Sequence, residues 1–219
     1  MISFQEVLMR TVRSIQILCS IIIILLIVGL AFVYVNLEKP TPNIVGAIMT
    51  PTREQVNLAV IKLILAGRAG EVYSFYAYEV GDPLEASLYI EAALEGTIRA
   101  PVDLVMAIGW WEGGHQVGGV DGPNQNGSYD ARPMGLNSYT YKKYSMADLQ
   151  RVEINIPFGV THLVSEKQKW GVSWESALSS YNKGSPSGLD YRQIDYVASI
   201  LRHEWEIDRK FAARFPDAF

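Results

Sequence analysis

A long uncharged segment near the N-terminus sets the organisation of this chain of 219 residues. No charged residue occurs between Arg13 and Glu38, and residues 17–35 are almost wholly apolar, with Ser20 as the main exception. A helix needs about 20 apolar residues to cross the hydrocarbon core of a bilayer. We therefore predict one transmembrane helix over residues 14–36.

The charges that flank this segment predict its orientation. Two arginines precede it, whereas one acidic and one basic residue cancel after it. The positive-inside rule leaves residues 1–13 as a cytoplasmic stub and places everything after about residue 37 outside the membrane. A cleaved signal peptide is the alternative. The small-residue site at 29–31 lies inside the apolar run, which favours a retained anchor.

The composition of the remaining chain excludes several classes of protein. The exported part is mildly acidic and carries no basic cluster, so it offers no nucleic-acid interface. One cysteine and three scattered histidines predict neither a disulfide framework nor a metal centre. Residues 37–50 are rich in proline and predict a linker. We divide the rest into a helical N-terminal part, 51–99, and a second part, 100–215.

Start and stop signals predict a mostly α fold. Residues 82–85, Asp-Pro-Leu-Glu, are typical of a helix N-terminus, and a helix opened by Pro101 closes at Glu112 before two glycines. Residues 113–140 are rich in Gly, Asn, Asp and Pro, so they predict a long functional loop or flap that holds any sheet. Later helices are predicted to begin at about Asn155, near Ser173 and at Asp190.

Glu112 is the main candidate for chemistry. It ends an apolar helix beside Trp110 and Trp111, at the start of the glycine-rich loop. The negative end of the helix and the apolar neighbours both disfavour a charged carboxylate, so its pKa should be raised. A raised pKa suits a general acid near neutral pH. The alternative is an ordinary exposed glutamate at a helix end.

Four short motifs, in order, carry a family resemblance. They are the helix from residue 101 that ends in Trp-Trp-Glu-Gly-Gly, then Asn155-Ile156 with Gly159, then Ser180-Tyr181-Asn182-Lys183-Gly184, and finally Tyr196. Over residues 83–205 this order and spacing resemble the lysozyme-like, soluble type of lytic transglycosylase. The family has a helix ending in Glu-Ser, a Gly-Leu-Met-Gln stretch, an Asn-Ile-x-x-Gly helix, an Ala-Tyr-Asn-x-Gly motif and a late tyrosine.

The resemblance implies a lysozyme-like helical fold and a single catalytic carboxyl group, with no cofactor. Glu112 matches the family's acid, which protonates the bond between N-acetylmuramic acid (MurNAc) and N-acetylglucosamine (GlcNAc). It then acts as base in closing a 1,6-anhydro ring without water. Tyr181 and Asn182 match the motif that lines the sugar cleft, and Tyr196 matches the tyrosine near the acid. Structural positions of the motifs are Gly113, Asn155, Gly159 and Gly184.

The chain departs from the family at two positions. The serine after the acid is Gly113, and the Gly-Leu-Met-Gln stretch is not intact. Depending on the register, its glutamine is replaced by Ser138 or by Gly135. Met134 is expected to line the cleft, and Gln125 or Asn137 to supply the lost hydrogen bond.

The sequence thus predicts a single-pass protein of the cytoplasmic membrane whose external domain cuts peptidoglycan. A protein partner in an envelope machine is left open. One alternative is a muramidase-type hydrolase, with Asp121 or Asp130 as second carboxylate. Another is a binding or scaffold protein with an impaired cleft. His115, near Glu112, is expected to face solvent rather than to tune the carboxyl group. Four aromatic residues are expected to pack in the core rather than form a sugar platform: Tyr73, Phe75, Tyr76 and Tyr78.

Overall fold

A computed structural model of the chain describes residues 51–95, 100–184 and 191–219. Its secondary structure is mostly helical, which confirms the predicted mostly α class. Within these ranges, none of the helices combines the length and the apolarity that crossing a bilayer requires. Three predicted segments lie outside the described residues: the stub 1–13, the transmembrane helix 14–36 and the linker 37–50.

The described helices run in the following order along the chain. They are α1 (Arg53–Leu63), α2 (Ala69–Val80), α3 (Pro83–Leu94), α4 (Val102–Gly113), α5 (Met146–Leu149), α6 (Val152–Trp170), α7 (Trp174–Lys183) and α8 (Tyr191–Arg214). A π-helical turn, Ile64–Arg68, joins α1 to α2, and a short 3-10 helix, Pro216–Ala218, follows α8.

Local capping explains where several helices begin. The side chain of Asp82 accepts a hydrogen bond from the backbone N–H of Glu85, and proline occupies the first turn of α3, as predicted. Ser173 likewise caps α7. Helix α6 begins at Val152 rather than near Asn155, because the buried side chain of Asn155 bonds to the neighbouring loop instead of capping a helix.

The only sheet among the described residues lies in the glycine-rich loop, where it was predicted. Its two-residue strands are β1 (Val120–Asp121), β2 (Asp130–Ala131) and β3 (Leu136–Asn137), paired antiparallel in that order. Val120 lies opposite Ala131, which in turn lies opposite Leu136. This small flap follows directly on the end of α4.

Helix α4 is the centre of the packing. Helix α8 lies along it, and α3 packs against α2, α4 and α6. Residues 102–109 of α4 are buried on every side, so this helix has no solvent-facing stripe until its last turn. Apolar burial on this scale is the main favourable term in the stability of the domain.

Three of the four aromatic residues considered for a sugar platform belong to the core. Tyr76 is fully buried and stacks on Phe211, and Phe75 meets the same ring edge-on. Tyr73 is partly buried against the core. Tyr78 differs, because 84% of it is exposed.

Candidate functional site

The last turn of α4 carries Glu112 out of the core. The close approach of α4 to α3 depends on Gly109, because a Cβ atom there would lie 1.8 Å from the hydroxyl of Tyr89 on α3. The helix ends at Gly114, whose left-handed φ of 56° turns the chain into the loop. Glu112 therefore stands at a fixed point where a buried helix reaches the surface.

Two contacts from distant parts of the chain enclose the Glu112 carboxyl group. The hydroxyl of Tyr196 on α8 donates a hydrogen bond of 2.7 Å to Oε1. On the other side Gly135 lies so close that a Cβ atom there would be 2.5 Å from Oε2. Gly135 also has a φ of +63°, a conformation that residues with a side chain rarely adopt. The position thus requires glycine for two reasons.

The electrostatic surroundings of Glu112 favour its protonated form. Burial raises the pKa of Glu112 to about 7, and the negative charges of Asp130 and Asp121 add to this effect. The hydrogen bond from Tyr196 opposes the rise in pKa but does not cancel it. A carboxyl group that holds a proton near neutral pH meets the requirement for a general acid.

The turn that carries Gly135 is held by hydrogen bonds with the buried side chain of Asn155 and the half-buried side chain of Tyr181. The backbone N–H of Met134 donates to Oδ1 of Asn155 over 2.8 Å, and the hydroxyl of Tyr181 donates to the carbonyl of Met134 over 2.5 Å. The amide of Asn155 also donates to the carbonyls of Ala131 and Leu149. Asn155 and Tyr181 therefore fix the loop that faces the acid.

Two motif glycines permit this close packing. A Cβ atom at Gly113 would lie 3.0 Å from the backbone of Pro133, and one at Gly159 would lie 2.5 Å from Cβ of Met134. The approach of the loop thus explains why position 113 is a glycine. Met134 is fully buried. Its side chain consequently packs beneath the loop against α6, and the prediction that it lines a ligand cleft is not met.

The two loop aspartates considered as second carboxylates are each engaged in the flap. Arg132 holds Asp121 through two hydrogen bonds, of 2.5 and 2.6 Å. Both oxygens of Asp130 accept hydrogen bonds of 2.8 Å, one from the amide of Asn124 and one from the amide of Asn137. Their partners show that both carboxylates stabilise the flap.

The other three residues predicted to contact the substrate, Asn137, Gln125 and Asn182, lie in different surroundings. Asn137 uses its side-chain amide within the flap, where it donates to Ser128 and Asp130 and accepts from the N–H of Tyr139. Gln125 is exposed between β1 and β2. Asn182 is exposed in the last turn of α7, which ends at Gly184 with a φ of +75°. Their role toward a ligand stays a prediction.

The expectation that His115 faces solvent is wrong. Its side chain is only 9% exposed, and Nδ1 lies 3.1 Å from Oε1 of Glu85. Glu85 is fully buried on α3, and the same oxygen accepts a hydrogen bond of 3.0 Å from Tyr89. His115 thus ties the end of α4 to α3, through a contact between residues 30 positions apart.

Sequence reasoning missed the main function of Gly135, which it treated only as one replacement for the family's glutamine. A signal was present in the sequence, since a proline followed two positions later by a glycine, as in Pro133-Met134-Gly135, is typical of a turn. That signal predicts the turn. It does not show that the turn closes on Glu112, because this contact is made in three dimensions only.

The chain was also compared with protein-family models, curated proteins and solved structures, and it matches none of them.

Proposed function

We propose that this chain is a lytic transglycosylase that cuts peptidoglycan between MurNAc and GlcNAc, with a lysozyme-like fold over residues 100–215. The observation that carries the proposal is the state of Glu112, a carboxyl group with a pKa of about 7 at the end of a buried helix. Tyr196 bonds one of its oxygens and Gly135 lies against the other. Predicted anchoring by residues 14–36 agrees with a substrate outside the cytoplasmic membrane.

In the proposed reaction Glu112 acts first as acid and then as base. The protonated carboxyl group donates its proton to the glycosidic oxygen, the bond from that oxygen to C1 of MurNAc breaks, and GlcNAc leaves with a free hydroxyl group. The carboxylate then takes the proton of the C6 hydroxyl group of MurNAc while O6 bonds to C1. A 1,6-anhydro ring forms, Glu112 regains its proton, and no water is consumed.

The contacts of the other carboxylates support this single-carboxyl scheme. Hydrolysis with inversion requires a second carboxylate that activates a water molecule, and hydrolysis with retention requires one as nucleophile or stabiliser. Asp121 is paired with Arg132, and Asp130 has both oxygens bonded to amides. Both carboxylates therefore already have partners that hold the flap together.

Analysis of the reaction products tests the proposal. The full-length chain is incubated with purified peptidoglycan, and the released muropeptides are analysed by mass spectrometry. We expect anhydro-muropeptides, which are lighter than hydrolysis products by one water molecule. Glu112→Gln removes the proton donor with little change in shape and should abolish them.

A matched control variant shows whether replacing a glutamate with glutamine affects product formation wherever it is made. Glu91→Gln makes the same chemical change at an exposed position of α3, and should leave product formation unchanged. Products with reducing ends would replace the proposal with a hydrolase. Retention of the protein on peptidoglycan with no product would replace it with a binding protein.

A further inference from the structure

We propose that the indole ring of Trp111 is a platform on which one pyranose ring of the glycan stacks beside Glu112. This inference rests on the proposed function, because it assigns a substrate-binding role next to the proposed acid. It concerns a residue that the family motifs do not include.

The exposure of Trp111 contrasts with the rest of its helix. Residues 102–109 of α4 are all buried, whereas Trp110 and Trp111 are each 41% exposed. Removing a large aromatic ring from water is strongly favourable. Two adjacent indoles left at the surface beside Glu112 thus form an apolar patch suited to a ligand. The end of α4 is therefore apolar where it meets solvent.

The contacts of Trp111 connect this surface to the acid. Its ring meets Tyr196 edge-on, at 87° and with 6.0 Å between ring centroids, and the hydroxyl of Tyr196 bonds to Glu112. Trp111 is thus next to Glu112 in sequence, and in space the ring of Tyr196 connects its indole to the carboxyl group. A sugar on this indole would lie within the same site as the acid.

The two indoles differ in what covers them. His203 stacks on Trp110 at a centroid distance of 4.2 Å and an angle of 17°, which occupies one face of that ring. Trp111 meets its ring partners at 54° and 87°, and no ring of the described residues lies parallel on it. Trp111 is therefore the better candidate for stacking, with Trp110 as its support.

The chemistry of the ligand matches this surface. A pyranose ring presents C–H groups on a face that packs against an aromatic ring, while its hydroxyl groups at the rim stay hydrogen-bonded to water or protein. An indole offers a wide, rigid apolar area at low cost in conformational entropy. A glycan strand that places one sugar on Trp111 brings a neighbouring glycosidic bond toward Glu112.

Binding measurements test the platform directly. Full-length protein carrying Glu112→Gln, which prevents turnover, is titrated calorimetrically with a GlcNAc–MurNAc tetrasaccharide. Adding Trp111→Ala should weaken binding about tenfold or more, and Trp111→Phe, which keeps a smaller ring, should weaken it less. The matched control is Trp205→Ala on α8, an indole that is 44% exposed and packs under Arg209. Its affinity should equal that of the parent.

Kinetics and products separate this inference from the proposed function. In the active protein, Trp111→Ala should raise KM more than it lowers kcat, which a loss of fold would not do. Anhydro products from the native protein with unchanged affinity of Trp111→Ala would overturn the platform alone. Binding that depends on Trp111 without any product would support the platform and overturn the transglycosylase. Absence of both product and binding would overturn both.

Discussion

Tyr196 donates a hydrogen bond of 2.7 Å to the carboxyl group of Glu112, although 84 positions separate the two residues in sequence. The bond joins α8 to the last turn of α4. It stabilises the charged form of the carboxylate, whereas burial stabilises the neutral form. The balance of these two effects sets the pKa of the proposed acid.

The pH dependence expected for the proposed activity of the native protein follows from this balance. The first step of the proposed reaction requires protonated Glu112, whose pKa is raised to about 7. We therefore expect kcat/KM for anhydro-product formation to be maintained at moderately acidic pH and to fall as pH rises through about 7. A rate that instead increases across this range would contradict the role of Glu112 as the acid.

Replacing Tyr196 with phenylalanine should shift this profile. The variant keeps the ring that packs against Trp111 but loses the hydrogen bond that lowers the pKa of Glu112. The decline in kcat/KM should consequently move to higher pH, with a maximal rate lowered about tenfold. The exposed Tyr78→Phe is the matched control and should give the native curve. Superimposable pH profiles for Tyr196→Phe and the native enzyme would refute this role.

Gly135→Ala should abolish activity through a steric clash. The added methyl group would lie 2.5 Å from Oε2 of Glu112, at a residue with a φ of +63°. Gly171→Ala is a close control, because its φ is +60° and no atom lies within 4 Å of the added carbon. The left-handed backbone should cost both variants roughly 1 kcal/mol of unfolding free energy in urea, and the clash should add to the loss in Gly135→Ala. Only Gly135→Ala should stop product formation, and equal activities would show that the clash is relieved.

Asn155→Ala should be the most destabilising of the single substitutions around the loop. It removes three hydrogen bonds made by a fully buried side chain, to Met134, Ala131 and Leu149. Because their partners are left unsatisfied in the interior, the unfolding free energy should fall by about 2–4 kcal/mol. Asn182→Ala, at an exposed position in the last turn of α7, should cost far less in the same urea titration. Comparable losses in the two variants would show that the buried amide does not hold the loop.

A second buried group of carboxyls should make the fold itself pH-dependent. Asp103 on α4 and Asp208 on α8 share a hydrogen bond, and both are almost completely buried. Burial raises the pKa of Asp208 to about 6 and holds that of Asp103 well above its ordinary value. The folded state therefore binds more protons than the unfolded state above about pH 4.

The sign of the effect follows from this difference in bound protons. The unfolding free energy should be highest near pH 4 and fall as pH rises through about 6. Asp103→Asn keeps a hydrogen-bond donor toward Asp208 and removes one buried acid, so it should flatten this decline and raise stability at pH 8 by about 1–2 kcal/mol. The exposed Asp195→Asn should leave the slope unchanged. An unchanged slope for Asp103→Asn would show that the pair does not control it.

The features that the sequence predicted well are those that depend on a few neighbouring residues. Asp82 caps α3 through a contact three positions away, so a short window contains both partners. The same holds for the position of Glu112 at a helix end. The direction of its pKa shift was also predicted, although the burial and the charges of Asp130 and Asp121 that cause it come from the folded structure. The long loop after Glu112 was visible in its composition.

The features that were missed depend on distant contacts. His115 looks like a loop histidine until α3 brings the buried Glu85 beside it. Met134 seemed available to a ligand, but Gly159 on α6 opens a space into which its side chain packs. The loop motif shows only that the expected glutamine is absent. The close approach of Gly135 to the carboxyl group of Glu112 is a contact in three dimensions, and no local sequence pattern encodes it.

The burial of α4 on all sides has a consequence for how this protein can be controlled. Glu112, the proposed proton donor, is carried by a helix that cannot slide or rotate without disturbing the packing of the interior. We therefore expect the pKa of Glu112 to respond mainly to changes at Tyr196 or in the flap that carries Gly135, which contact its two carboxyl oxygens. The core thus sets the position of the proposed proton donor, whereas the hydroxyl of Tyr196 and the turn that carries Gly135 set the immediate surroundings of its carboxyl group.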